Sequence, residues 1–383
     1  DLGEHAKAAH AGRVALDGQR ADPELGPAHP RTLITAAGHA ANLRALGRFE
    51  SAYVEDAATL GGVRELLGDD HFLSRYALNN LALSALLFGD PLEAYRLEEE
   101  NYQRLTRLLS EGHPDVWWSA VSLARYHREL GRIRPAKALL QRAIDHLKAI
   151  DVDTGDIRRK QVAVPRWSLA RLRAENSLTV IDRFGAGRAT VPGRRRQILE
   201  SYRAYQGDRH QGTLSCALSL AADLHAAGEH TQAVRQGREA LAEYERVFSP
   251  GHPFAAICRV NLAVYLADDG DLAESRRMGA EGLASLRARL GPLHPYTLAA
   301  VLNHASTLVR LGKLDEALDL DEVSHEGHCD VFGEDQPPAR AALANLRDTR
   351  RRIRFRDGAE TAEGGVWSSA DTRRHIDLEM PEI

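Results

Sequence analysis

Residues 251–275 read Gly251-His-Pro-Phe-Ala-Ala-Ile-Cys-Arg-Val-Asn-Leu-Ala-Val-Tyr-Leu-Ala-Asp-Asp-Gly-Asp-Leu-Ala-Glu-Ser275. Four positions of this stretch return along the chain. His252 belongs to the series His29, His71, His113, His210, His252 and His294, continued by Gln336, with separations of 42, 42, 97, 42, 42 and 42 residues. Gly270 belongs to Gly47, Gly89, Gly131, Gly228, Gly270 and Gly312, again 42 apart with one break of 97. Seven residues before each glycine stands Ala40, Ala82, Ala124, Ala221, Ala263 or Ala305, and five after it Ala52, Ala94, Ala136, Ala233, Ser275 or Ala317. Self-similarity at such a period marks an array of stacked supersecondary units.

Within each period the glycine separates two stretches long enough for helices. The proline after His29, His113, His252 and His294 suits a first helical position, where a missing N–H costs little. Small residues on both sides of the glycine let two antiparallel helices approach closely. One such pair cannot bury its apolar face alone, so neighbouring pairs must stack. The expected fold is all-α, a right-handed α-solenoid of stacked antiparallel helix pairs.

The period also sets the expected divisions. Three regular repeats fall at residues 25–150 and three more at 208–332. The 97-residue break is two periods plus 13 residues, which places an enlarged, irregular repeat at 151–207, with helices expected over 167–183 and 193–205. Between them Arg183-Phe-Gly-Ala-Gly-Arg-Ala-Thr-Val-Pro-Gly193, followed by Arg194, Arg195 and Arg196, lacks the Gly-Lys-Ser/Thr end and the preceding strand of a phosphate-binding loop. It reads as a lengthened inter-helix loop with a solvated basic helix start. In residues 1–24, Gly3 and Ala8 keep the glycine-to-alanine spacing, so this segment reads as the second helix of a truncated repeat and the chain as the later portion of a longer solenoid. Residues 333–354 read as a terminal capping helix and 355–383 as a flexible C-terminal tail.

Composition excludes several function classes. Of 383 residues, 43% are hydrophobic, enough for an extended core, and 50 basic against 54 acidic side chains give a net charge of −4. That balance lacks the basic footprint of a nucleic-acid-binding protein. No apolar run is long enough to span a bilayer and no signal segment opens the chain, so no membrane contact is expected and the cytoplasm is the expected location. Cys216 and Cys258 lie one period apart, so they occupy equivalent places in stacked units and pack as small apolar groups.

Catalytic and metal chemistry find little to stand on. Successive repeat histidines would be separated by about 10 Å, an ordinary interaxial distance, and so cannot share an ion. They read as structural turn residues. His325-Glu-Gly-His-Cys329 offers at most two ligands on one helix face. No nucleophile elbow, zinc-protease helix or dinucleotide fingerprint occurs in context. No metal, no cofactor and no enzymatic activity are expected.

Binding is the remaining role. Two residues before the recurrent alanine stand Asn80, Asn261 and Asn303, with Asn345 at the equivalent place in the last unit. Asparagine is a mediocre helix former, but its amide both donates and accepts. Such a column either holds the backbone of an extended peptide along a concave wall or bonds the preceding repeat. Flanking positions add Tyr76, Asn79, Trp118, Ser122, Arg125, Arg128, Arg44 and Arg310 as candidates, and arginine beside aromatic rings suits a carboxylate or an acidic peptide.

Leu78-Asn-Asn-Leu-Ala82, Gly112-His-Pro114, Gly251-His-Pro253 and the 42-residue period resemble the kinesin light chain class of tetratricopeptide repeats over residues 1–352. In that class and in carboxylate-clamp domains, first-helix asparagines line the cargo groove. The resemblance thus implies peptide binding by Asn80, Asn261, Asn303 and Asn345, while Gly38, Ser122 and Ser219 interrupt the column. The Arg- and Ala-rich wording and the stretch Arg374-His-Ile-Asp-Leu-Glu-Met-Pro-Glu-Ile383 resemble actinobacterial repeat proteins of FxSxx-COOH modified-peptide systems. That resemblance implies an accessory scaffold whose partner is a peptide precursor or its maturation enzyme. The alternative is a sensor or autoinhibitory array of a larger STAND-type signalling NTPase, with an upstream nucleotide-binding domain in the same chain. A third possibility follows from the alternation in residues 376–383: this segment fills the groove of its own or a neighbouring chain.

Overall fold

The computed structural model describes residues 5–153, 166–358 and 373–381. Among them the regular structure is helical: α1 (His5–Ala21), α2 (Pro30–Ala45), α3 (Phe49–Leu67), α4 (Phe72–Phe88), α5 (Pro91–Leu108), α6 (Pro114–Glu129), α7 (Ile133–Asp153), α8 (Arg166–Asp182), α9 (Val191–Gln206), α10 (Gln211–Ala226), α11 (His230–Phe248), α12 (Pro253–Asp269), α13 (Leu272–Leu290), α14 (Pro295–Arg310), α15 (Leu314–Phe332) and α16 (Pro337–Arg356). A short 3₁₀ turn, Arg188–Thr190, precedes α9. Consecutive helices pack on one another from α1 to α9 and from α11 to α16, as an all-α solenoid requires. Two compact units result, one running to Ser219 and including Pro381, the other Leu220–Met380. No described helix is long and apolar enough to cross a membrane.

Each periodic residue has an identifiable task. The ring Nδ1 of His29, His71, His113, His252 and His294 accepts the backbone N–H two residues on, at 3.1 or 3.2 Å. His210 does the same for Gly212. The histidines are therefore N-caps that satisfy one orphan helix donor each, a role typically worth about 1 kcal/mol. An accepting Nδ1 carries no proton, so each ring holds its proton on Nε2. Gln336, at the same place before α16, makes no such bond.

At the other end of the first helix, the recurrent glycine takes a positive φ, 107° at Gly89 and 100° at Gly270. The next residue then donates its N–H five residues back: Arg48 to Leu43, Asp90 to Ala85, Arg132 to His127, Glu229 to Leu224, Asp271 to Leu266 and Lys313 to Leu308, at 2.8–3.0 Å. This is the Schellman closure, and it reverses the chain within three residues. The small residues on either side of it are all buried, none more than 4% exposed. Where serine replaces alanine, the Ser275 hydroxyl donates to the Ala263 carbonyl at 2.7 Å, which removes the cost of burying it.

The enlarged repeat consists of α8, the 183–190 connection and α9. Its basic start is the solvated face expected from the sequence at Arg194 and Arg196, which are exposed, but not at Arg195. Arg183 and Arg195 are fully buried. Arg183 donates to the Ser219 carbonyl at 3.2 Å, Arg195 to the Asn176 carbonyl at 2.9 Å, and Arg194 to Asp182 at 2.9 Å. Guanidinium donors thus anchor the extra residues to α8 and α10. Residues 154–165, within the expected 151–207 repeat, lie outside the described residues.

Close approach of α12 and α13 depends on Gly282. A Cβ there would lie 2.7 Å from Val260 Cγ2, 3.1 Å from the Ala256 carbonyl oxygen and 3.2 Å from the Val260 nitrogen. Backbone cannot yield as a side chain can, so Gly282→Ala should cost about 1–3 kcal/mol. Gly61→Ala meets nothing within 4 Å and should stabilise α3 by about 0.5–1 kcal/mol. Thermal or urea denaturation of the two variants should therefore move in opposite directions.

Candidate peptide-binding groove

The asparagine column lies on the first helices of successive pairs, and in the second unit it holds the chain's own residues 373–380. Asn345 on α16 donates its amide to the Arg374 carbonyl at 2.8 Å and accepts the Arg374 N–H at 2.9 Å. Asn303 on α14 does the same to Ile376, at 2.9 and 2.9 Å, and Asn261 on α12 to Leu378, at 2.9 and 3.1 Å. The segment advances two residues per repeat, and residues 374, 376 and 378 all present backbone to one side. That is the alternation of an extended strand, whose two-residue advance is about 6.6 Å. Each asparagine amide thus acts as a one-residue strand partner, reading backbone and ignoring side chain.

Backbone pairing sets the register but does not hold the segment alone. Six hydrogen bonds at about 0.5–1.5 kcal/mol give about 3–9 kcal/mol. Ordering nine residues costs about 1–2 kcal/mol each. Burial of Leu378 and Met380, each 5% exposed, adds about 1.5–3 kcal/mol per side chain. Arg373 is the third anchor.

All five N–H groups of the Arg373 guanidinium are used. Nη2 donates to both Asp321 oxygens at 2.7 and 2.9 Å, Nη1 to Thr349 Oγ1 at 2.6 Å and the Asn345 carbonyl at 3.1 Å, and Nε to Ser306 Oγ at 3.1 Å. Asp348 lies 3.7 Å away. The Arg373 and Asp321 side chains are each 1% exposed. Burial pushes the Asp321 carboxyl up, and the Arg373 guanidinium works against that rise. A buried pair of this kind gives modest net stability, but removing one partner typically costs about 3–5 kcal/mol.

The first unit carries a related arrangement completed from within. Asp56 and Asp321 are separated by 265 positions, six periods of 42 plus the 13 extra residues, and Ser84 and Thr349 by the same interval. Ser84 donates to Asp56 at 2.7 Å, as Thr349 donates to Asp321 at 2.6 Å. The cation beside Asp56 is Arg44 of α2, which bonds both Asp56 and Ser84. The residue 265 positions after Arg44 is Val309. In the second unit the guanidinium therefore arrives on the extended segment.

Other residues singled out in the sequence are placed as follows. Asn80 is buried, and its Nδ2 has no hydrogen-bond partner among the described residues. Asn79 donates to Glu98 at 2.8 Å. Ser122 and Arg125 are buried on α6. Trp118 lies beneath Arg173, 4.2 Å from guanidinium to ring centroid. Arg128 pairs with its neighbour Glu129 at 2.6 Å, and Arg310 with Asp268. Tyr76 is exposed and, with Ile34 and Leu33, lines an apolar cavity of about 260 Å³. Arg44, Arg128 and Arg310 are thus each committed to a carboxylate of this chain. Asp321, Thr349, Ser306 and Arg373 were not anticipated, although the shared repeat position of Asp56 and Asp321 was available as a signal.

Two further features are electrostatic. His225, His230 and Asp268 form one trio, and His225, His375 and Asp377 another, with ligand atoms within 4.8 Å of one another in each. These residues could hold a cation, whereas the sequence led to no metal being expected. Two of the five reach the place only because residues 373–381 lie there. Burial opposes the Asp268 carboxylate, yet its hydrogen bond from His225 and the Arg310 guanidinium hold it down at about 2. Glu98, one period after Asp56, is fully buried, and burial pushes its carboxyl up to about 7 despite hydrogen bonds from Ser119, Asn79 and Asn101.

Stacked helix pairs, six of them closed by the same cap, glycine turn and small-residue contact, define a helical repeat protein. The chain belongs to the tetratricopeptide repeat family: tetratricopeptide repeat models match residues 73–149 and 216–288, and a second such model matches 297–338. Similar solved structures include the Rap protein complexed with Competence and Sporulation Factor, 12% identical over 92% of this chain and 95% of that one, with a TM-score of 0.56. They also include kinesin light chain nearly identical TPR-like repeats from Podosopora anserina, 21% identical over 57% of this chain and 97% of that one, TM-score 0.41. A third is the TPR2AB domain of yeast Sti1 with pHSP90, 13% identical over 84% of this chain and 99% of that one, TM-score 0.27. No match is found among curated proteins.

Glu98 supplies a pH test. A carboxyl whose folded pKa is raised favours the folded state when protonated, so its contribution is full below its ordinary value near 4.5 and is lost as pH rises through about 7. The melting temperature should fall between about pH 4.5 and pH 7.5, and Glu98→Gln should flatten that fall. An unchanged slope in the variant would contradict the assignment.

Proposed function

We propose that this chain is a non-catalytic scaffold that binds an extended polypeptide segment along α12, α14 and α16. One observation carries the reading: Asn261, Asn303 and Asn345 each exchange two hydrogen bonds with alternate residues of a single extended segment. Side-chain amides buried on a helical surface would otherwise need partners within the solenoid. Here their partners are backbone groups that any extended peptide offers, so the column is a generic strand receptor with specificity supplied from its flanks.

The sequence resemblance of residues 374–383 and of the Arg- and Ala-rich repeats supports a more specific role as an accessory scaffold of an FxSxx-COOH modified-peptide system. The bound partner is then the peptide precursor or its maturation enzyme.

The test uses the full chain with Ile376→Pro, which removes the N–H that Asn303 accepts and loosens the resident segment. A dye-labelled peptide with the sequence of residues 371–383 should bind this chain at least tenfold more tightly than wild type by fluorescence polarisation. Adding Asn303→Ala should weaken binding at least tenfold, about 1.4 kcal/mol for two lost hydrogen bonds. Equal affinity with asparagine and with alanine at position 303 would sink the backbone-reading account.

A further inference from the structure

We propose that the buried carboxylate of Asp321 is a guanidinium-reading socket that selects what the groove binds: an extended peptide bearing an arginine followed, five and seven residues later, by apolar side chains. The proposal rests on the peptide-binding reading above and adds the chemistry of the ligand, a basic anchor in place of the acidic peptide the sequence suggested.

Three observations converge on Asp321. The Arg373 side chain enters with every N–H satisfied, by Asp321, Thr349, Ser306 and the Asn345 carbonyl. Lysine, with three donors in a tetrahedral array, cannot reproduce that planar fork. Secondly, Thr349 already donates to Asp321 Oδ2 at 2.6 Å, so the carboxylate is held in place from α16. Thirdly, the matching acid in the first unit, Asp56, receives its cation from Arg44 on its own helix pair, whereas the second unit has Val309 at that position. The solenoid has kept the acid and its hydroxyl partner but not the internal cation. An incoming ligand must therefore bring one.

The same geometry makes residues 373–381 a resident competitor. Being tethered, the segment competes at an effective concentration on the order of millimolar. A partner in trans must either match its anchor and backbone pattern or bind where the segment has been drawn away. Leu378 and Met380, both buried, sit five and seven residues after the arginine and complete the recognised pattern.

The experiment compares three labelled peptides, the 371–383 sequence and its versions with Gln or Lys at the Arg373 position, on the full chain with Arg373→Ala. The arginine peptide should bind at least thirtyfold more tightly than the glutamine peptide, about 2 kcal/mol, with lysine between them. Because Arg373→Ala leaves Asp321 unpaired and could impair folding, the same peptides are tested on Asp321→Asn/Arg373→Ala, whose neutral socket carries no stranded charge. There the preference for arginine should fall below threefold. Arginine and glutamine peptides bound alike by the Arg373→Ala chain, with Asn303→Ala still weakening both, would overturn the socket and leave the backbone reading standing. Failure of every peptide to bind either folded chain would overturn both. An arginine preference that persists on the neutral socket would also overturn the assignment to Asp321.

Discussion

The close approach of the two helices in each pair is the constraint on which the rest depends. Buried alanines seven before and five after the turn glycine bring the axes together, and the Schellman closure fixes where the second helix begins. Because this contact recurs every 42 residues, a side chain at one repeat position recurs at a fixed spacing in space. Asn261, Asn303 and Asn345 can then address residues 378, 376 and 374 of one extended segment.

That regularity explains what was legible in the sequence. The histidine, glycine and alanine series gave the helices, their turns and their pairing, since each residue type has one local task that repeats. The asparagine column was legible for the same reason, and the structure places three of its four members on one bound segment. What could not be read from the period was chemistry supplied by residues outside it. Arg373 follows an aperiodic stretch, and nothing in its local sequence shows that it reaches Asp321. The arginines singled out as candidates for a ligand's carboxylate, Arg44 and Arg310 among them, are bound instead to Asp56 and Asp268 of this chain. A buried acid in a neighbouring helix decides that, and periodicity does not show where such an acid will sit.

The enlarged repeat makes the same point. A run of Arg194, Arg195 and Arg196 reads as a solvated face by charge alone. Arg195 is nevertheless fully buried, donating to the main-chain carbonyl and the side-chain oxygen of Asn176 on α8. Charge predicts exposure only when no internal acceptor waits for it.

The central claim is that the asparagine column reads the backbone of an extended segment, residue by alternate residue. Residue-resolved amide hydrogen exchange on the full chain tests it most directly. The account predicts protected N–H groups at Arg374, Ile376 and Leu378, with Asn303→Ala releasing Ile376 most strongly and Asn261→Ala releasing Leu378. Free-peptide exchange rates at all three positions in the unaltered chain would contradict it.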